Sequence, residues 1–155
     1  MALNEYISNL YGEDLDGYVH IMSLDSKGRP QIYNALPEQL GGLIDEQRGR
    51  QDTFITPNSF YIPKRANGNI RQYRALFLDI DLKEYGKSEA YYNISMLSSE
   101  GKIPRPSLII DSGRGLHLYW IIEHAPKQAA FTWQELEDYL YKQLKYLGAD
   151  IQATD

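Results

Sequence analysis

The chain has 155 residues, of which 43% are apolar and 24% charged; it contains no cysteine and carries a net charge of −5. That length and balance predict one domain with its own core, and they exclude disulfides, thiolate metal sites and a globally basic nucleic-acid coat. No apolar run approaches the length of a membrane span, and Met1 to Asp16 has neither the basic nor the apolar stretch of a secretory signal, so a cytoplasmic protein with no membrane contact is expected.

Residues 3–11 read as a short helix and Tyr18 to Leu24 as an alternating strand. Asp25 to Pro30 is a turn, and Gln31 to Ala35 is the hairpin partner. Pro37 opens a helix over 37–47 that places Leu40, Leu43 and Ile44 on one face. Thr53 to Ile62 is extended, with a break at Pro57 and Asn58, and 63–72 reads as a basic loop. Charge is concentrated here: Arg48, Arg50, Lys64, Arg65, Arg71 and Arg74 stand against Asp52 alone, +5 over residues 48–74 and −10 elsewhere. A solvated loop and a phosphate-binding track both fit such a segment.

The strongest strand is Ala75 to Leu82. Because side chains alternate across a sheet, Leu76, Leu78, Ile80 and Leu82 share one face, and Ala75, Phe77, Asp79 and Asp81 the other. A helix over 87–100 turns Tyr91, Ile94 and Leu97 or Ser98 to the sheet. Ser107 to Asp111 is a second aliphatic strand, Ser112 to Gly115 a tight turn, and Leu116 to Ile122 a third strand with His117, Tyr119 and Ile121 on one face. Glu123 to Pro126, including His124, reads as a loop. In the last helix Thr132 and Glu135 form a capping box, Trp133, Leu136, Leu140, Leu144 and Leu147 follow at steps of three and four, and Gly148 ends the run. Residues 1–72 are expected to be the N-terminal part of the same domain and 73–155 its core. The class is α+β: a sheet covered by helices on one face, the other face carrying Asp79 and Asp81.

Two features carry chemistry. Asp79 and Asp81, at i and i+2 on a strand, point the same way with Cα atoms roughly 6.5–7 Å apart. Crowded carboxylates repel, a divalent ion relieves the repulsion, and hard oxygen donors suit Mg²⁺ or Mn²⁺. A strand that frays into solvent at Asp79 would show the same residues. In Ser112-Gly113-Arg114-Gly115-Leu116-His117, two glycines allow close approach to an anion, Arg114 offers a bidentate fork to phosphate, and Ser112 adds a hydroxyl. A glycine-rich hairpin beside a core histidine accounts for the pattern equally well. There is no G-x-x-x-x-G-K-[ST] phosphate loop and no H-x-H pair.

In order, ALFLDIDLK, SGRGLHLYW and the Ala149-Asp150 pair resemble the three motifs of the archaeo-eukaryotic primase (primase-polymerase) superfamily over roughly residues 73–155. The resemblance implies an RNA-recognition-motif-like sheet and a DNA primase or polymerase in replication, possible elements being a plasmid, phage or integrated element. It implies two divalent ions, Mg²⁺ or Mn²⁺, on Asp79, Asp81 and Asp150, with Asp155 a rival for the third position. Ser112, Arg114 and His117 would bind the nucleoside triphosphate, and Lys64, Arg65, Arg71 and Arg74 the single-stranded DNA template or the triphosphate, while Phe60, Tyr61 and Tyr73 fit either base stacking or core packing. Asp150 should open a strand beside the one carrying Asp79, about 4.8 Å away. Relatives continue further, so the chain resembles a truncated fragment whose full-length form would add a helicase or accessory domains. The rival classes are a non-catalytic single-strand binding module and another metal-dependent phosphodiester enzyme.

Overall fold

The computed structural model describes residues 3–11, 16–47 and 53–150. They divide into two compact units, one comprising residues up to Arg74 with Glu123–Lys127, the other Ala75–Ile122 with residues from Gln128 onward.

The first unit contains α1 (Leu3–Tyr11), β1 (Val19–Leu24), β2 (Pro30–Ala35), α2 (Leu40–Glu46), β3 (Phe54–Ile55) and β4 (Ser59–Phe60). The strands β2-β1-β3 form a sheet in that order, with β1 and β2 antiparallel from Val19 opposite Ala35 to Leu24 opposite Pro30. Their turn is set by Asp25, whose Oδ1 accepts the backbone N–H groups of Lys27 and Arg29. Leu10, Tyr11, Val19, Ile21 and Leu40 are buried. β5 (Ile70–Asp81) begins earlier than the sequence suggests, because Ile70 and Gln72 pair with Phe60 and Ser59 of β4. Residues 70–72, read as loop, therefore belong to a strand.

Arg74 is also corrected. It is 0% exposed. Its Nη1 donates to the Tyr11 carbonyl at 2.6 Å, its Nη2 to the Asp16 carbonyl at 3.4 Å, and the guanidinium lies 5.3 Å from the centre of the Tyr11 ring. A buried cation costs too much solvation to stand there without such acceptors, so Arg74 holds the fold and is not part of a template track.

The second unit runs β5, α3 (Lys87–Ser99), β6 (Leu108–Asp111), β7 (Gly115–Pro126), α4 (Ala130–Leu144) and β8 (Ala149–Asp150). The strand order β8-β5-β7-β6 with this βαββαβ succession is the arrangement of ferredoxin-like and RNA-recognition-motif sheets, and the class is α+β. Leu76, Leu78 and Ile80 of β5 and Leu116, Leu118 and Trp120 of β7 are buried together with Ala90, Ile94 and Leu97 of α3 and Trp133, Leu140 and Leu144 of α4. The aliphatic face is thus the one the helices cover. On the other face Phe77, Asp79 and His117 are half-buried and Asp81 is exposed.

Helix phase differs from the sequence reading. Ala90, Ile94 and Leu97 form the buried stripe of α3, leaving Tyr91 42% exposed. In α4 the stripe is Trp133, Glu137, Leu140 and Leu144, leaving Leu136 45% exposed. The helix already starts at Ala130 without a side-chain cap, so Thr132 and Glu135 do not form a capping box. β7 continues to Pro126, which puts His124 in a strand.

Glu137 is the outlier in this core, a carboxyl that is 0% exposed. Its Oε1 accepts the Phe77 backbone N–H at 2.7 Å. Burial pushes the carboxyl up from its ordinary 4.5 to about 8, outweighing the backbone hydrogen bond. The native protein keeps its proton up to about pH 8, whereas the unfolded chain releases it near 4.5, so stability falls as pH rises through that window. Thermal unfolding of the wild type should show this decline, and Glu137→Gln should flatten it. Superimposable melting profiles across that pH range would refute the buried acid.

Candidate functional site

Two glycines bracket the end of β5. A Cβ on Gly115, at the start of β7, would lie 1.9 Å from the Ile80 carbonyl oxygen, and one on Gly148 would lie 2.2 Å from that of Asp81. Gly148 also adopts φ +101°, a conformation that strains side-chain-bearing residues. Its carbonyl accepts the Asp81 N–H at 3.0 Å. Gly115 therefore serves the close approach of β7 to β5.

The two approaches gather the acidic residues. β8 runs antiparallel to β5 with Asp150 directly opposite Asp79 and Ala149 opposite Ile80, as the strand argument expects. Asp81 follows on the same face, two residues along β5. From β7, His117 Nε2 stands 3.4 Å from Asp79 Oδ1. Burial raises the Asp79 carboxyl above its ordinary value; His117 opposes the shift, and the negative charges of Asp150 and Asp81 add to it. Lys83 Nζ is 3.7 Å from Asp81 Oδ2, an exposed contact.

Three hard carboxylate donors whose charges already disfavour one another fit a divalent cation chemically. Among the described residues no group of three or more His, Cys, Asp or Glu side chains is arranged to hold a metal ion.

The β6–β7 hairpin brings the second motif to the same sheet, with His117 opposite Ile110. Gly113 takes φ +92°. Ser112 Oγ accepts the Gly115 N–H at 3.2 Å, and Asp111 Oδ1 accepts the Gly113 N–H at 2.7 Å. Lys87, the first residue of α3, donates to both oxygens of Asp111 at 2.5 and 2.7 Å. Arg114 is exposed and without a hydrogen-bond partner among the described residues. Sequence reasoning missed Asp111 and Lys87, although an Asp two residues before a turn glycine is itself a turn signal.

The described basic residues of the segment 48–74 differ in exposure. Lys64 and Arg65 are exposed in the first unit. Arg71 is half-buried and bound to Asp16, through its carbonyl at 3.3 Å and its carboxylate at 3.7 Å. Phe60 and Tyr73 are core residues, leaving Tyr61 exposed. Arg48, Arg50 and Asp155 lie outside the described residues. An open groove of about 370 Å³, lined by residues including Asn93, Met96, Gln143 and Tyr146, contains none of the predicted site residues. Among the described residues no helix is long and apolar enough to cross a membrane.

Over 152 residues the chain is 36% identical to a protein of Clostridium perfringens described as a replication protein, an alignment covering 97% of this chain and 36% of the relative. The chain thus spans about a third of that curated relative's length. No family model and no solved structure matches it.

Because the folded state raises the Asp79 carboxyl, ionisation there opposes folding at neutral pH, and the penalty disappears below the ordinary value of 3.8. Asp79→Asn should raise the melting temperature in metal-free neutral buffer, and the gain should vanish in acid. A destabilised Asn variant at neutral pH would contradict the crowding.

Proposed function

We propose that this chain is the nucleotidyl-transfer core of a replication enzyme of the primase-polymerase kind, joining nucleoside triphosphates on a single-stranded DNA template. The observation that carries the reading is the register that sets Asp150 opposite Asp79, with Asp81 on the same face and His117 in contact with Asp79. Similarity to a replication protein over nearly the whole chain supports the role in replication.

In this reading Asp79, Asp81 and Asp150 hold two divalent ions, Mg²⁺ or Mn²⁺. When bound, such ions sharpen a hydroxyl nucleophile and steady the charge on the departing pyrophosphate. The chain's own part is positioning. Arg114, at the exposed tip of the hairpin, presents a planar fork to phosphate oxygens. Ser112 supplies a hydroxyl beside it. His117, placed between that hairpin and Asp79, contacts a phosphate oxygen and, when protonated, offsets its charge. Lys64 and Arg65 remain as template contacts, weakened by salt as phosphate contacts are.

The test is incorporation of labelled nucleotides on single-stranded DNA, primed and unprimed, with Mg²⁺ or Mn²⁺. Wild type should extend or initiate chains, and Asp79→Asn and Asp81→Asn should fall to background while keeping the wild-type circular dichroism spectrum. Undiminished incorporation by either variant rules out the metal assignment, and template degradation in place of synthesis would make the chain a nuclease.

His117→Ala should weaken binding of a nucleoside triphosphate more than that of the monophosphate, measured by titration calorimetry. Equal losses for the two ligands would make His117 a structural residue.

A further inference from the structure

Among the described residues, β8 pairs with β5 at Asp79 and Ile80. Among the described residues, the preceding stretch of the second unit, Ala75 to Leu78, has no strand beyond it on that edge. In an extended strand the backbone groups of alternate residues point to the same edge. Asp81 directs its N–H to Gly148 of the β8 side, so Phe77 directs its N–H the same way. An edge amide buried without an acceptor costs about as much as a lost hydrogen bond, roughly 1–3 kcal/mol.

Two side chains of α4, one helical turn apart, occupy that edge. Trp133 Nε1 donates to the Ala75 carbonyl at 3.0 Å, and Glu137 Oε1 accepts the Phe77 N–H at 2.7 Å. One supplies a donor and the other an acceptor, the pattern a neighbouring strand would offer. Glu137 Oε2 is buried without a hydrogen-bond partner among the described residues. A fully buried carboxyl with half its capacity unused is costly, and an apolar residue would pack more cheaply. The return is the Phe77 bond. Phe77 lies two residues before Asp79, and α4 leads through Gly148 directly to Asp150.

We propose that Glu137 is a positioning residue for the acidic site, clipping α4 to the edge of β5 so that Asp79 and Asp150 stay opposite each other. The assignment rests on the reading of those carboxylates as a divalent-ion site, and Glu137 itself touches no ligand. Outer groups that orient metal ligands cost about 10–100-fold in metal affinity when removed.

The experiment compares Glu137→Gln, which keeps an acceptor for Phe77, with Glu137→Met, which keeps the length and removes it. Mn²⁺ affinity and amide hydrogen exchange at Phe77 are measured on both. Glu137→Gln should retain wild-type Mn²⁺ affinity and a protected Phe77 amide. Glu137→Met should keep the fold, lose about tenfold in Mn²⁺ affinity, and exchange Phe77 faster. Wild-type Mn²⁺ affinity in the Met variant, or equal losses in both variants, overturns the proposal. If the Met variant does not fold, wild-type exchange decides: a Phe77 amide that exchanges only with global unfolding supports the clip, and one that exchanges from the native state removes it. Wild type that binds Mn²⁺ without incorporating nucleotides defeats the nucleotidyl-transfer reading alone, because the Gln-to-Met comparison still reads the clip. Wild type that binds no Mn²⁺ overturns both.

Discussion

Everything at the candidate site depends on how closely two backbones can approach the last residues of β5. The carbonyls of Ile80 and Asp81 lie where side chains at positions 115 and 148 would be. The obstruction would be backbone oxygen, which cannot swing aside as a flexible side chain can. With hydrogen at both positions, β7 enters beside Ile80 and β8 beside Asp81. His117 and Asp150 reach Asp79 as a result. The acidic residues are therefore assembled by the absence of two methyl groups as much as by any attraction, and assembly works against their own repulsion.

Two basic side chains flank these carboxylates. His117 stands by Asp79 and Lys83 by Asp81, one half-buried and the other exposed. Elsewhere the chain neutralises charge before it can reach a ligand. Arg74 is consumed by backbone carbonyls, Arg71 by Asp16, and Lys87 by Asp111. Of the basic residues described in the segment 48–74, Lys64 and Arg65 are the exposed ones.

Much of this was legible in the sequence because it follows from strict periodicities. Alternation along β5 separates Leu76, Leu78 and Ile80 from Asp79 and Asp81 whatever the tertiary context, and Gly148 marks both the end of the last helix and the strand that follows. The same alternation places Arg74 with the leucines, a signal that charge counting obscured. Helix phase was harder. In α4, Leu136 and Glu137 both fit a step of three or four from Trp133, and hydropathy favours the leucine. The structure favours Glu137 because an edge amide needs an acceptor, a requirement that no local pattern reveals. Likewise, the meaning of Gly115 could not be read locally, since its crowding partner, Ile80, lies on another strand.

The pairing of β8 with β5 has a further consequence. It joins segments far apart in sequence, setting Asp150 opposite Asp79 and Ala149 opposite Ile80. The chain has no cysteine and so no covalent staple. A cation shared by Asp79 and Asp150 would act as a removable cross-link between segments far apart in sequence, and cofactor loading and the cohesion of this corner of the fold would become one equilibrium.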